Sequence, residues 1–297
     1  MNIEEFTVKV PWGKIAVKAW GKVTDPIVLC IHGVQDNAAS FDLLIPELPN
    51  NYYYVCYDLP CHGKSSPYPP HMPLHSIHEV IVLKLIVDYF ERNEYIIIGH
   101  SYGGVTATLF SQLFPEIVKK LILLEAIYSY SIAVEDFQTV MLGHIDKFME
   151  ISKKTATGSP PRYTYDEALK KVQHQRANGK ISLEAAKALL ERNVVQIDNK
   201  YVFTTDQRLK NIFIPLNDNT YQLKLLKEYP ITAPTLLILG KDSEYRLPSH
   251  DPIVDFFEKS KNFKVITING THDIHNVNTK EVAKLVTSFL VNVKPKL

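Results

Sequence analysis

Cysteine is scarce in this chain, and so is any imbalance of charge. The three cysteines, Cys30, Cys56 and Cys61, lie in or beside apolar strand-like runs. They show neither a pairing pattern nor histidines spaced for zinc, which argues for a reducing compartment and against a resident metal. Lys and Arg number 33 against 32 Asp and Glu, so there is no basic field of the kind that gathers nucleic acid or anionic lipid. No stretch approaches ~18 uninterrupted apolar residues, and no membrane span is expected. Met1-Asn2-Ile3-Glu4-Glu5 has neither the basic nor the apolar segment of a secretory leader, so the expectation is a soluble cytoplasmic protein. Pro295-Lys296-Leu297 departs from the peroxisomal Ser-Lys-Leu signal only at its first residue, which makes a peroxisomal address the second expectation and a solvated tail the plainer one. Internal repeats and low-complexity tracts are also lacking.

What is present is an alternation of strand and helix signals up to about Glu125, the pattern of a mostly parallel sheet covered on both faces. Val8 and Val10, then Pro11-Trp12-Gly13, then Ile15 to Val17 predict a hairpin. Runs at Ile27 to Ile31, Tyr52 to Tyr57, Tyr95 to Ile98 and Leu121 to Leu124 are apolar enough for strands buried on both sides. Ile77 to Phe90 is apolar nearly all round, which predicts a helix sandwiched between the sheet and another layer.

From about Ile127 to Tyr229 the strand signals fade. Phe137, Met141, Ile145 and Phe148 recur at helical spacing as a core-packing stripe, Thr164-Tyr165-Asp166-Glu167 is a capping box, and Ala185, Leu189 and Leu190 mark a further helix. Strands resume at Thr235 to Leu239 and Phe263 to Ile268, and Val282, Leu285, Val286 and Phe289 line a closing helix. The predicted fold class is α/β: a core of residues 1–126 and 230–297, interrupted by a helical cap at 127–229.

Directly after the strand ending in Ile98 comes Gly99-His100-Ser101-Tyr102-Gly103-Gly104, followed by a helix-compatible stretch. This is G-x-S-x-G between strand and helix, where glycines let backbone approach closely enough to expose the serine hydroxyl on a sharp turn. A serine hydroxyl needs a base within reach and a carboxylate to hold that base in one tautomer. Asn269-Gly270-Thr271-His272 follows the last strand and puts His272 at the same edge of the sheet as Ser101. His275 is the competitor, while His62 and His174 read as structural or solvated. For the developing oxyanion, the backbone N–H groups of Tyr102, after the nucleophile, and of Val34, in the loop His32-Gly33-Val34-Gln35-Asp36-Asn37, are the expected donors.

These segments resemble the α/β-hydrolase superfamily and, within it, the serine hydrolase-like group that includes Kraken. His32 to Asp42 is similar to that group's His-Gly-Trp-Leu-Asp-Asn-Ala-Ser-Ser-Phe run. Asp58 to Ser66 resembles its Asp-Leu-Pro-Gly-His-Gly-x-Ser-Ser, Phe114 to Leu124 also matches, and Phe203 to Arg208 is similar to a Phe-Thr-x-Asp-x-Arg segment. The resemblance spans most of the chain and is weakest across the cap. It implies an α/β-hydrolase fold, a nucleophile-acid-histidine order and esterase chemistry.

Many relatives end the strand before the acid with Gly-x-x-Asp, and here the third residue after Gly240 is Ser243. A common variant reads Gly-x-x-Ser-Asp, so the resemblance favours Glu244 as the acid, with Asp242 next. Glu125, closing Leu121 to Leu124, is a third candidate, read first as a cap on the sheet edge. Two further departures stand out. Val34 replaces a bulky tryptophan, which leaves more room beside the oxyanion donors. Cys61 replaces a glycine, as tolerated packing or as a thiol that makes activity sensitive to alkylation.

The expected function is hydrolysis of carboxylic or related acyl esters of small molecules through an acyl-enzyme on Ser101, with no cofactor. Serine rather than aspartate at position 101 speaks against dehalogenase or epoxide hydrolase chemistry; thioester, lactone and carbon–carbon hydrolysis would use the same triad. The rival from another class is a small-molecule-binding protein on the same fold, non-catalytic or limited to one turnover. The oligomeric state is not written in the pattern.

Overall fold

The apolar runs pair much as the sequence predicts. In the computed structural model, which describes residues 1–126, 128, 132–174, 179–213, 217–243 and 250–292, Ile3–Val10 (β1) and Gly13–Trp20 (β2) form the antiparallel hairpin. Ile27–Ile31 (β3), Tyr53–Tyr57 (β4), Tyr95–His100 (β5) and Val118–Leu124 (β6) follow, then Thr235–Gly240 (β9) and Phe263–Ile268 (β10). Together they make an 8-stranded sheet in the order β1-β2-β4-β3-β5-β6-β9-β10. Only β2 runs against the rest, being antiparallel to both β1 and β4.

Alternate residues of one strand serve opposite cores, which is why β3 and β4 are apolar without a break. Leu29, Tyr53, Tyr57 and Ile97 face one core. Cys30, Tyr54, Cys56 and Ile98 face the other. The first core is closed by Ile77–Phe90 (α1), Tyr102–Leu113 (α2) and Asp251–Lys259 (α7), the second by Thr279–Asn292 (α9). The prediction that α1 is sandwiched needs correction: Ile77, Ile81 and Tyr89 on its outer face are exposed.

Between β6 and β9 lie Phe137–Thr157 (α3), Tyr165–His174 (α4), Leu183–Asn193 (α5), Val194–Ile197 (β7), Lys200–Phe203 (β8) and Asn219–Glu228 (α6). The capping box forms as read, Thr164 N–H donating to Glu167 Oε2 at 2.7 Å and Glu167 N–H to Thr164 Oγ1 at 3.3 Å. Two expectations fail in this segment. It is not wholly helical, because β7 and β8 pair as a hairpin. Asp198 and Asn199 both take positive φ (48° and 59°), the conformation of a two-residue turn that Asp and Asn tolerate. The α3 stripe is not all core, since Phe137 and Ile145 are exposed.

The segment is anchored to the sheet by polar contacts. Arg192 Nε donates to both oxygens of buried Asp58 at 2.8 and 3.0 Å, Asn37 Nδ2 to Leu189 O at 2.9 Å, and Asp206 N–H to Cys61 O at 3.0 Å. Among the described residues no helix is long and apolar enough to cross a membrane. Glu244 and Pro295-Lys296-Leu297 lie outside the described residues.

Candidate active site

β5 ends at His100 and α2 begins at Tyr102, so Ser101 alone makes the turn between them. Its φ of 51° and ψ of −121° lie where residues with a Cβ are rarely found, a conformation held only when its surroundings enforce it. The surroundings are backbone. Ser101 N–H donates to Leu124 O at 3.0 Å. A Cβ on Gly103 would meet Ile31 O at 2.2 Å, and one on Gly99 would meet Gly104 Cα at 2.5 Å. The two glycines therefore let β3, β5 and α2 close around the turn, which is the physical content of G-x-S-x-G.

The loop after β3 passes directly against the serine: a Cβ on Gly33 would stand 3.2 Å from Ser101 Cβ. Val34, the next residue, is half-buried against the same core as Tyr102. Two neutral histidines brace this loop. His32 Nδ1 lies 2.7 Å from Gly33 O and its Nε2 2.9 Å from Leu59 N–H; His62 Nδ1 lies 2.8 Å from Pro60 O and its Nε2 3.0 Å from Gln35 N–H. Carbonyls only accept and amides only donate, so each ring carries its proton on Nδ1. Burial holds His32 down at about 4 and His62 at about 3, so both stay uncharged near neutrality. His62 is thus structural, as expected.

His272 is buried in the loop after β10. Its Nδ1 lies 3.1 Å from Glu125 Oε2, and its backbone carbonyl accepts from His100 Nε2 at 3.0 Å. The residue before Ser101 therefore holds the backbone of the predicted base, with the two rings 4.9 Å apart. Burial, then His275 and His272, push the His100 imidazole well below its usual range, so it acts as a neutral donor.

Glu125 is buried, follows β6 directly and takes φ of 53°. Ser101 N–H is bonded to the carbonyl of the preceding residue, Leu124, so serine and carboxylate are tied through one β5–β6 contact. Gly240 N–H donates to Glu125 Oε1, and Ser243 Oγ donates to Oε2. Ser243, the residue that broke the Gly-x-x-Asp pattern, is thus the hydrogen-bond donor to a carboxylate from the neighbouring strand. Asp242 is exposed. The sequence bore two traces of this contact, a serine where an acid was due and an acid closing β6, without showing that the two meet.

His275, the competing base, is buried beside Ser40 and Asn276, its Nε2 2.8 Å from Ser40 Oγ and 3.1 Å from Asn276 Nδ2. Asp36, His100 and His275 offer ligand atoms within 4.8 Å of one another. Ser40 Oγ also donates to Asp36 Oδ2 at 3.2 Å, so this cluster already works as a hydrogen-bonded network behind the loop of His272. Cys61 is buried with φ of 69°, a backbone that favours the glycine of the resemblance. Burial pushes its thiol up to about 12, which removes the thiolate that alkylation requires.

Comparison with known proteins agrees with this architecture. Residues 26–275 match the α/β-hydrolase fold family. Human serine hydrolase-like protein 2 is 31% identical over 97% of this chain and 94% of its own, and the serine hydrolase-like protein of Danio rerio is 33% identical over 98% and 89%. A hypothetical protein of Pseudomonas aeruginosa superposes with a TM-score of 0.85 at 21% identity, covering 97% of this chain and 100% of its own. A thioesterase domain from the curacin biosynthetic pathway gives 0.78 at 21%, covering 96% and 99%. The chain belongs to the α/β-hydrolase family, in its serine hydrolase-like group. Fold and family together support a hydrolase.

Proposed function

We propose that the protein hydrolyses carboxylic or related acyl esters of small molecules through an acyl-enzyme on Ser101. The observation that carries this reading is a serine in a strained strand-to-helix turn, joined through His100 to the His272 backbone and through Leu124 to the strand of Glu125, with Glu125 and His272 forming a buried carboxylate–imidazole pair. His272 takes the Ser101 proton through Nε2 as the hydroxyl attacks the acyl carbon. Glu125, in place of the Glu244 expected from the resemblance, fixes the His272 proton on Nδ1 and offsets the imidazolium that forms. The backbone N–H groups of Val34 and Tyr102 receive the oxyanion, the second at the start of α2, where first-turn amides have no partner within the helix. The imidazolium then protonates the leaving alcohol, and a water deprotonated by His272 releases the acid. No step calls for a cofactor.

Residues 127–229 serve in this reading as a cap over the carboxyl edge of the sheet. The contacts of Arg192, Asp206 and Leu189 with the loops after β3 and β4 support that role. A fluorophosphonate probe tests the proposal. Wild type should label and turn over p-nitrophenyl esters many times, and Ser101→Ala should do neither. Labelling that survives Ser101→Ala, or a single turnover followed by arrest, would overturn it.

A further inference from the structure

Buried polar groups are almost always paired, because an orphaned one costs about 1–3 kcal/mol. Against that rule, four buried polar atoms close to the nucleophile turn have no hydrogen-bond partner among the described residues: Glu79 Oε2, Tyr57 OH, Tyr68 OH and Trp12 Nε1. They come from α1, the end of β4, the segment after it and the β1–β2 turn, yet they gather in one place. The Trp12 and Tyr68 rings are 5.0 Å apart, and Tyr68 N–H meets Cys61 Sγ at 3.4 Å. Glu79 acts electrostatically on the hydroxyls of Tyr57, Tyr68 and Tyr102. Tyr102 immediately follows Ser101, so the cluster borders the first turn of α2, next to the turn that carries the serine.

We propose that Glu79, Tyr57 and Tyr68 form a subsite that recognises a hydroxyl group on the substrate, beside the turn carrying Ser101. This rests on the acyl-hydrolase reading above. The chemistry points to an uncharged group. Arg208, which holds the chain here by donating to Tyr68 O at 2.8 Å and Pro69 O at 2.6 Å, is ion-paired with Asp206 at 2.7 Å and so has its charge matched. Burial pushes the Glu79 carboxyl up to about 8, the Tyr68 phenol opposing it without meeting it in hydrogen-bond geometry. A protonated carboxyl and two phenols then present donors and acceptors with no net charge, the complement of an alcohol. An anion would be desolvated with no cation to receive it, and an ammonium would require Glu79 to ionise.

Two ester series measure the preference: p-nitrophenyl esters with and without a hydroxyl on the acyl chain, and acetates of alkanols and of matched alkanediols. Wild type should favour the hydroxylated member of one series by about tenfold in kcat/KM, the equivalent of ~1.4 kcal/mol, and that series identifies the side of the ester that enters. Glu79→Leu should erase the preference, bringing the hydroxylated and plain esters to equal kcat/KM. Tyr68→Phe should reduce it, and Glu79→Gln, which still accepts and donates, should retain it. Equal rates for both members in wild type, or a preference indifferent to Glu79→Leu, overturns the subsite. A preference for ω-ammonium esters lost in Glu79→Gln also overturns it, because it assigns the carboxylate to a cation. Calorimetry of Ser101→Ala with a hydroxyalkanoic acid against its parent acid, and with an alkanediol against its parent alkanol, separates the two proposals. A hydroxyl preference there without turnover in wild type keeps the subsite and removes the hydrolase; no preference there, with turnover intact, does the reverse.

Discussion

The Glu125 carboxylate reaches the His272 imidazole at 3.1 Å across 147 residues of chain. It follows the strand β6, which lies beside the strand that leads into Ser101. Glu125→Gln keeps the shape but lets the amide pair with the wrong histidine tautomer, so kcat/KM for p-nitrophenyl acetate should fall by about 10²–10⁴-fold. Asp242→Asn should leave it within about twofold. Full activity in Glu125→Gln together with loss in Glu244→Gln would return the acid to the loop after β9.

Ser243 Oγ donates to the same carboxylate. Hydrogen bonds to charged groups contribute about 1.5–3 kcal/mol, so Ser243→Ala should lower kcat by roughly ten- to a hundredfold as Glu125 loses one of its supports. KM should change little, since nothing facing the acyl group is altered. Steady-state kinetics on one ester separates the two parameters.

The buried ion pair of Arg192 and Asp58, joined by Glu5 at 2.9 Å from Arg192 Nη1, ties the segment between β6 and β9 to the sheet. Arg192→Met leaves the Asp58 carboxylate buried with, among the described residues, Ala38 N–H and Lys64 N–H to hold it. Breaking such a pair costs about 3–5 kcal/mol, and urea unfolding should show a loss of that order.

Stability should peak near pH 6.5. Burial lowers His32 to about 4 and His62 to about 3 from 6.5, so below pH 6.5 the unfolded chain binds protons that the folded one refuses, and stability falls with pH. Glu79 acts in the opposite sense. Its folded value is raised from 4.5 to about 8, so its contribution is whole below pH 4.5 and is lost as pH climbs through about 8. Denaturant unfolding across pH 5–9 should show the alkaline decline flattened in Glu79→Gln, whereas an unchanged slope assigns it to other groups.

Val34 is half-buried beside Ser101, where the resemblance puts a tryptophan. Restoring the indole by Val34→Trp should lower turnover of bulky esters about tenfold more than that of acetates, a difference of ~1.4 kcal/mol. Equal losses on both would mean that the side chain does not shape the acyl pocket.

Local pattern made much of this legible. The inner strands β3 and β4 are apolar at every position, so their existence and nearly their ends could be read without knowing their neighbours. Ser101 was legible because glycines at 99 and 103 are needed wherever the turn forms. The β7–β8 hairpin was missed because Val194 to Phe203 is short and half-polar, with its turn made by Asp198 and Asn199 rather than glycine. The outer faces of α1 and α3 were misplaced because apolar residues predict burial only on average, and whether a layer lies above them is not a local property.

By itself the sequence determined the alternating architecture, the serine of the strained turn and the histidine that follows the last strand, because each rests on backbone geometry imposed within a few residues. Tertiary structure alone decided which carboxylate faces that histidine and which buried polar atoms surround the turn. Those depend on strand order: β6 and β9 become neighbours only when the sheet assembles, and that adjacency sets Glu125 against Gly240, Ser243 and His272.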